Sequence, residues 1–241
     1  MTLAALVVAG GAGTRMQRSG SDLPKPLVRV GGVPLVELNL RALVRQGATD
    51  LYVAVAAGAP DVAGHVESCR PWIERSGARL SLIVEDPPLG SIGAAASVPG
   101  VPELLVVNAD NVTSLDLAGM VAAHRATAAA MTLAVHDEPF LMPFGEITVD
   151  GDRVTDYVEK PTYRICISSA VTVLGPPAVA LVEPGEDVGL PVLARRVLDA
   201  GIVLSAHHHE ADWADVNDLG VLERAERVVA AHPDLFAGAR S

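Results

Sequence analysis

The chain has 241 residues, half of them apolar and only 3% aromatic, and a formal net charge of −11. That store of aliphatic side chains excludes intrinsic disorder. The lack of any uncharged apolar run of about eighteen residues argues against a membrane span. The acidic balance argues against a nucleic-acid partner, which requires a basic face. Small anionic ligands stay open, since they need only a few local cations, and so does a homo-oligomer.

The chain alternates strand-like and helix-like segments from its start. Residues 3–9 form an apolar run without preceding basic residues, and they lead straight into a glycine loop. This pattern predicts a buried strand and not a signal peptide. A helix follows over 34–46, opened by Pro34 and stopped by Gly47. Strands are predicted at 51–56, 79–84, 103–108 and 131–136, with helices at 61–75 and 115–128 between them. This rhythm implies an α/β fold: a Rossmann-like, mostly parallel sheet with helices on both faces. Beyond residue 140 the rhythm changes to three strands, 144–149, 153–159 and 165–174, the first pair joined at Asp150-Gly151-Asp152. Helices at 189–199 and 218–231 flank a short strand near 202–208. No linker separates the halves, so the expectation is one domain over 1–241. Its first half would reach about residue 137, and the second would follow in the same sheet. Cys69 and Cys166 lie far apart without metal-ligand spacing, which suits reduced thiols and a cytoplasmic location.

Of 18 basic residues only Lys25 and Lys160 are lysines, and each is followed by proline. Lysine is a compact point charge and arginine a wide planar fork, so a site that needs one small ammonium cannot take arginine. Lys25 follows the loop Gly10-Gly11-Ala12-Gly13-Thr14-Arg15. A strand feeding such a loop exposes backbone N–H groups to a ligand, and Arg15 and Lys25 add cations at the same sheet end. The pattern describes a polyphosphate cradle. It lacks the third glycine of a dinucleotide loop and the Gly-Lys-Ser/Thr of a P-loop. Asp110 stands just past a buried strand, and Asp215 lies in Trp213-Ala214-Asp215. Beside a phosphate loop, this pair suits Mg²⁺. His207, His208 and His209 are consecutive in a strand, so they point to alternate faces and cannot converge on one ion. In the later half, Gly145 would let a ring lie on bare backbone. Glu159 could accept bonds from sugar hydroxyls, and Lys160 could pair with a phosphate.

The ordered set of the glycine loop with Thr14-Arg15, Lys25-Pro26, Leu89-Gly90-Ser91-Ile92-Gly93-Ala94, Asn108-Ala109-Asp110, Glu159-Lys160-Pro161 and Trp213-Ala214-Asp215 resembles the sugar-1-phosphate nucleotidylyltransferases. The likeness spans residues 3 to about 231 and is greatest to short guanylyl- and uridylyltransferases. It implies an enzyme that makes an NDP-sugar and pyrophosphate from an NTP and a sugar 1-phosphate of mannose, heptose or cyclitol type. It also implies roles. Ala9, Gly10 and Gly11 would contact base and sugar of the nucleotide. Gly13, Thr14 and Arg15 would hold the β- and γ-phosphates, and Lys25 the α-phosphate. Asp110 and Asp215 would bind Mg²⁺. Gly145, Glu159, Lys160 and the segment of Ser168 would hold the acceptor. Glu85 and Gly90 would meet the base edge, where a carboxylate matches the two adjacent donors of guanine and favours GTP.

Three segments depart from the family pattern. Ala109 replaces a usual glycine, Ser168-Ser169-Ala170 a usual Asn-Ala-Gly, and Asn217 another glycine. These departures keep two alternatives open. One is a cytidylyltransferase for a polyol- or choline-type phosphate, and the other is a catalytically silent paralogue that binds a nucleotide-sugar. A metal-dependent glycosyltransferase would want Asp-x-Asp, which Asp110-Asn111-Val112 does not supply.

Overall fold

Strand β1 (Ala4–Val8) is buried along its whole length, as an unbroken apolar run requires. Its side chains alternate with the pleat: Ala5 and Val7 enter one core layer, and Ala4, Leu6 and Val8 the other. These facts come from a computed structural model, which describes residues 3–10, 23–217 and 219–238.

Around β1 lie the paired segment β2 (Arg29–Val30) and β3 (Val33–Pro34), then α1 (Leu35–Arg45), β4 (Asp50–Ala56), α2 (Pro60–Arg75) and β5 (Arg79–Glu85). The chain continues through β6 (Leu104–Asn108), β7 (Asn111–Thr113), α3 (Leu117–Thr127) and β8 (Met131–Leu141). The later part holds β9 (Glu146–Asp150), β10 (Arg153–Val158), β11 (Thr162–Leu174), α4 (Pro176–Val179) and α5 (Leu190–Asp199). It ends with β12 (Leu204–His208), β13 (Trp213–Asp215), α6 (Leu222–Ala231) and α7 (Pro233–Phe236). The main sheet has seven strands in the order β12-β8-β11-β6-β1-β4-β5. Only β11 runs antiparallel.

Helices α1, α2 and α3 cover one face through residues such as Leu40, Val66 and Met120. Helices α4 and α5 cover the other through Ala178, Leu193 and Val197. A third cluster joins α1 and α6 to β13 through Leu38, Ala225 and Ala214. The expected mostly parallel α/β sheet with helices on both faces is therefore present, and strands from both halves share it.

Two features differ from the sequence reading. Strands β9 and β10 pair only with each other, as a separate hairpin between β8 and β11. Every residue of both is exposed, including Ile147, Val149 and Tyr157. Their alternation reads as sheet, but it does not say which sheet. The short β7 and β13 form a second ladder, pairing Asn111 with Asp215. Three residues are too few for a legible period. Among the described residues no helix is long and apolar enough to cross a membrane.

Candidate active site

The carboxyl ends of β1, β4, β5 and β6 meet on one edge of the sheet, where open α/β sheets receive ligands. Lys25 reaches this edge from a short 3₁₀ turn, Lys25–Leu27. Its Nζ lies 2.5 Å from Asp110 Oδ2 and 2.7 Å from Asn217 Oδ1. The Asn217 amide nitrogen in turn donates to Asp215 Oδ2. The backbone reinforces this arrangement: Val216 N donates to Asp110 O at 2.9 Å, and β7 holds Asn111 opposite Asp215. Lys25, Asp110, Asn217 and Asp215 thus form one continuous polar chain.

Below it, the buried Asn39 of α1 donates to Ala109 O at 3.1 Å and fixes the strand end that carries Asp110. Two carboxylates and an amide oxygen are hard donors of the kind Mg²⁺ prefers. An ammonium already lies against Asp110, so the donor set fits a cation.

Glu85 ends β5 and is only 2% exposed, which excludes a solvent-facing carboxylate. Leu89 N donates to its Oε2 at 3.4 Å, while Oε1 is buried with no hydrogen-bond partner among the described residues. Burial, more than the nearby Asp187 charge, pushes this carboxyl above the ordinary range. Gly10 passes against it: a Cβ there would stand 2.4 Å from Glu85 Oε2. Ala9 is buried, and its N–H is committed to Ala54 O. Gly90 has φ +75°, and a Cβ there would stand 2.7 Å from Val188 O. Its glycine is therefore required by chain packing, whatever lies beside it. Gly11, Gly13, Thr14 and Arg15 lie outside the described residues.

The residues expected on the acceptor side come from the hairpin segment and from β11. Gly145, Glu159 and Lys160 belong to the projecting arm, and Glu159 and Lys160 are exposed. The ring resting on Gly145 is that of Tyr157, since a Cβ would meet its hydroxyl at 2.3 Å. That corrects the expectation of bare backbone open to a ligand ring. The Tyr157 hydroxyl donates to Glu159 Oε2 at 2.8 Å. Ser168 is exposed, and the next residue, Ser169, is fully buried.

Ser169 is a residue the sequence reading missed. It sits where β11 shifts register, with Ala170 held at φ 55°. Its hydroxyl lies 2.8 Å from His136 Nδ1 and 2.7 Å from His209 Nε2. Its carbonyl accepts from Asn111 Nδ2 at 2.5 Å and Trp213 Nε1 at 2.9 Å. Burial lowers His209 to about 4, with help from His136 and His207. Arg224 bonds Glu138 at 2.7 Å and lies 5.6 Å over the Trp213 ring. Beside this cluster is a cleft of about 870 Å³, lined by His136, Glu138, Arg164, His208, His209 and Arg224, among others. The three consecutive histidines do not converge: His209 turns to Ser169, and His208 is exposed.

The profile of the nucleotidyl transferase family matches residues 4–174, and the chain belongs to that family. It is 30% identical over 190 residues to a mannose-1-phosphate guanyltransferase of Candida albicans. That match covers 74% of this chain and 51% of the relative, so the chain spans about half the length of the curated relatives it matches. The fold is shared with HddC from Yersinia pseudotuberculosis complexed with GMP-PN, at TM-score 0.72 and 21% identity, over 94% of this chain and 99% of that one. It is also shared with the inositol-1-phosphate CTP transferase from T. maritima, at TM-score 0.67 and 17% identity, over 95% and 96%.

Proposed function

We propose that the protein is a nucleotidylyltransferase that joins GTP to a sugar 1-phosphate and releases pyrophosphate. The observation that carries this reading is the chain Lys25–Asp110–Asn217–Asp215 at the sheet edge. A phosphate oxygen of the acceptor attacks the α-phosphorus in line. The new P–O bond forms as the bond to pyrophosphate breaks, and pyrophosphate carries away the electron pair. No covalent enzyme intermediate is needed, because the attacking group is already an anion. Lys25 bears on the α-phosphate, and Gly13, Thr14 and Arg15 on the β- and γ-phosphates. Gly145, Glu159, Lys160 and the Ser168 segment receive the acceptor. Mg²⁺ held by Asp110 and Asp215 would neutralise charge on the transferring phosphate. The residues' share is positioning and charge compensation. The two free cysteines suit a cytoplasmic setting.

GTP is favoured by Glu85. Its buried Oε1 has no partner among the described residues, and an unpaired buried carboxylate oxygen is costly. Guanine offers two adjacent donors to such a group, while uracil offers one flanked by carbonyls. The mannose-1-phosphate guanyltransferase relative and the GMP-PN complex of the structural neighbour point the same way.

A second reading rests on Asn217 and on the inositol-1-phosphate CTP transferase neighbour: a cytidylyltransferase for a polyol phosphate. A choline-type acceptor belongs to the same reading: a quaternary ammonium seeks an open aromatic face, and Phe144 and Tyr157 are exposed on the hairpin segment.

The test is pyrophosphate release from four NTPs paired with mannose, heptose and inositol 1-phosphates, with Mg²⁺. GTP with a sugar 1-phosphate should lead, and Glu85→Gln should narrow its lead over UTP by about tenfold. A lead for CTP with inositol phosphate would establish the second reading. No release from any pair would leave a silent nucleotide-sugar-binding protein.

A further inference from the structure

Helices α1 and α2 bring together Glu37, His65 and Cys69. One ligating atom of each lies within 4.8 Å of the other two. His65 and Cys69 are one turn apart on α2 and share a face. Glu37 divides its carboxylate. Oε1 accepts from Arg41 Nε at 3.1 Å and Nη2 at 2.6 Å, while Oε2 meets His65 Nε2 at 3.0 Å. Arg41 also donates to Phe236 O at 3.0 Å, so its guanidinium is anchored on the Oε1 side. It orients the carboxylate and leaves Oε2 to the cluster.

We propose that Glu37, His65 and Cys69 bind a thiophilic divalent cation of the Zn²⁺ class, which clasps α1 to α2.

One sulfur, one imidazole nitrogen and one carboxylate oxygen form a donor set that suits Zn²⁺ and not the hard cation expected at Asp110. Tetrahedral Zn²⁺ with bonds of about 2.0–2.3 Å sets its ligand atoms about 3.3–3.7 Å apart. The Glu37–His65 pair, at 3.0 Å, is already close to that spacing, and the sulfur, within 4.8 Å of both, has to close in by at most about 1.5 Å. Glu37 and His65 are partly exposed, at 15% and 24%, which gives the ion an entry and a water for its fourth position. The clasp has a structural reach. Helix α1 also carries Asn39, whose amide holds the Ala109 carbonyl beside Asp110.

The test loads the full chain with Co²⁺ after chelation. One equivalent per chain should give a thiolate-to-cobalt charge-transfer band and the visible bands of tetrahedral Co²⁺. Zn²⁺ should abolish these bands, and excess Mg²⁺ should not. Cys69→Ser and His65→Gln should each remove them, while Cys166→Ser and Asp110→Asn keep them. Because His65 is partly exposed, its variant tests the site even if the cysteine change weakens folding. Absence of the band in the wild type, or its survival in Cys69→Ser, would overturn the site.

Discussion

Lys25 Nζ contacts one carboxylate and one amide oxygen at 2.5 Å and 2.7 Å, a geometry that suits a small three-donor ammonium. A guanidinium carries the same charge over a wide plane and cannot occupy that point. Lys25→Arg should therefore lower turnover at least about tenfold, or about 1.4 kcal/mol of barrier. Steady-state pyrophosphate release measures this, and near-normal turnover would dismiss the role. At this scale the ionic members of the site were legible. Lys25 stood out because the chain otherwise writes arginine, Asp110 because it follows an apolar strand, and Asp215 through the segment Trp213-Ala214-Asp215. The contacts of the amides were not legible. Asn217 meets Lys25 across 192 positions, and Asn39 hides on the apolar face of α1. No local pattern distinguishes such a residue from an ordinary polar one.

Between elements, the kink in β11 is the most telling feature. Ala170 adopts φ 55° where the resembled family writes glycine. A left-handed non-glycine residue costs about 1–2 kcal/mol, and glycine returns about 0.4–1 kcal/mol of that through the freedom of the unfolded chain. Ala170→Gly should thus stabilise the protein by up to about 1 kcal/mol, seen as a higher urea midpoint at constant slope. A lower midpoint would mean that the alanine methyl is needed for packing.

The projecting hairpin carries a different expectation. Lys160 is exposed at the base of this hairpin, whose strands pair only with each other, so Lys160→Ala should raise the KM for the acceptor far more than that for the nucleotide. Equal rises would assign Lys160 to both ligands. The strands of this arm were legible from alternation and from the Asp150-Gly151-Asp152 turn. Their departure from the main sheet was not, because a period of two is the same in any sheet.

For the molecule as a whole, stability should depend on pH through its buried histidines. His209 is lowered from 6.5 to about 4, and His124 is also lowered, in both cases chiefly by burial. The unfolded chain binds these protons more readily than the folded one, so stability rises with pH across that interval. The contribution is complete above 6.5 and is lost as pH falls toward 4. Glu85, raised by burial, works in the opposite sense, and Glu138, lowered by Arg224, adds its loss only in the acid range below 4.5. Urea midpoints taken between pH 7 and pH 5 should decline, and His209→Gln should flatten the decline. An unchanged slope in that variant would show that His209 takes up its proton equally in both states.

One pairing within the chain has a further consequence. Lys25 and Asp110 neutralise each other before any ligand arrives. A divalent ion entering alone must part them and leave an ammonium without a counter-charge. A triphosphate entering alone takes the ammonium and leaves a carboxylate bare. Entering together, each ligand offsets the disruption caused by the other. Metal and nucleotide should therefore show positive cooperativity, each raising the affinity of the other by the same factor. In Lys25→Ala the intrinsic affinity for metal should rise while that reciprocity fades.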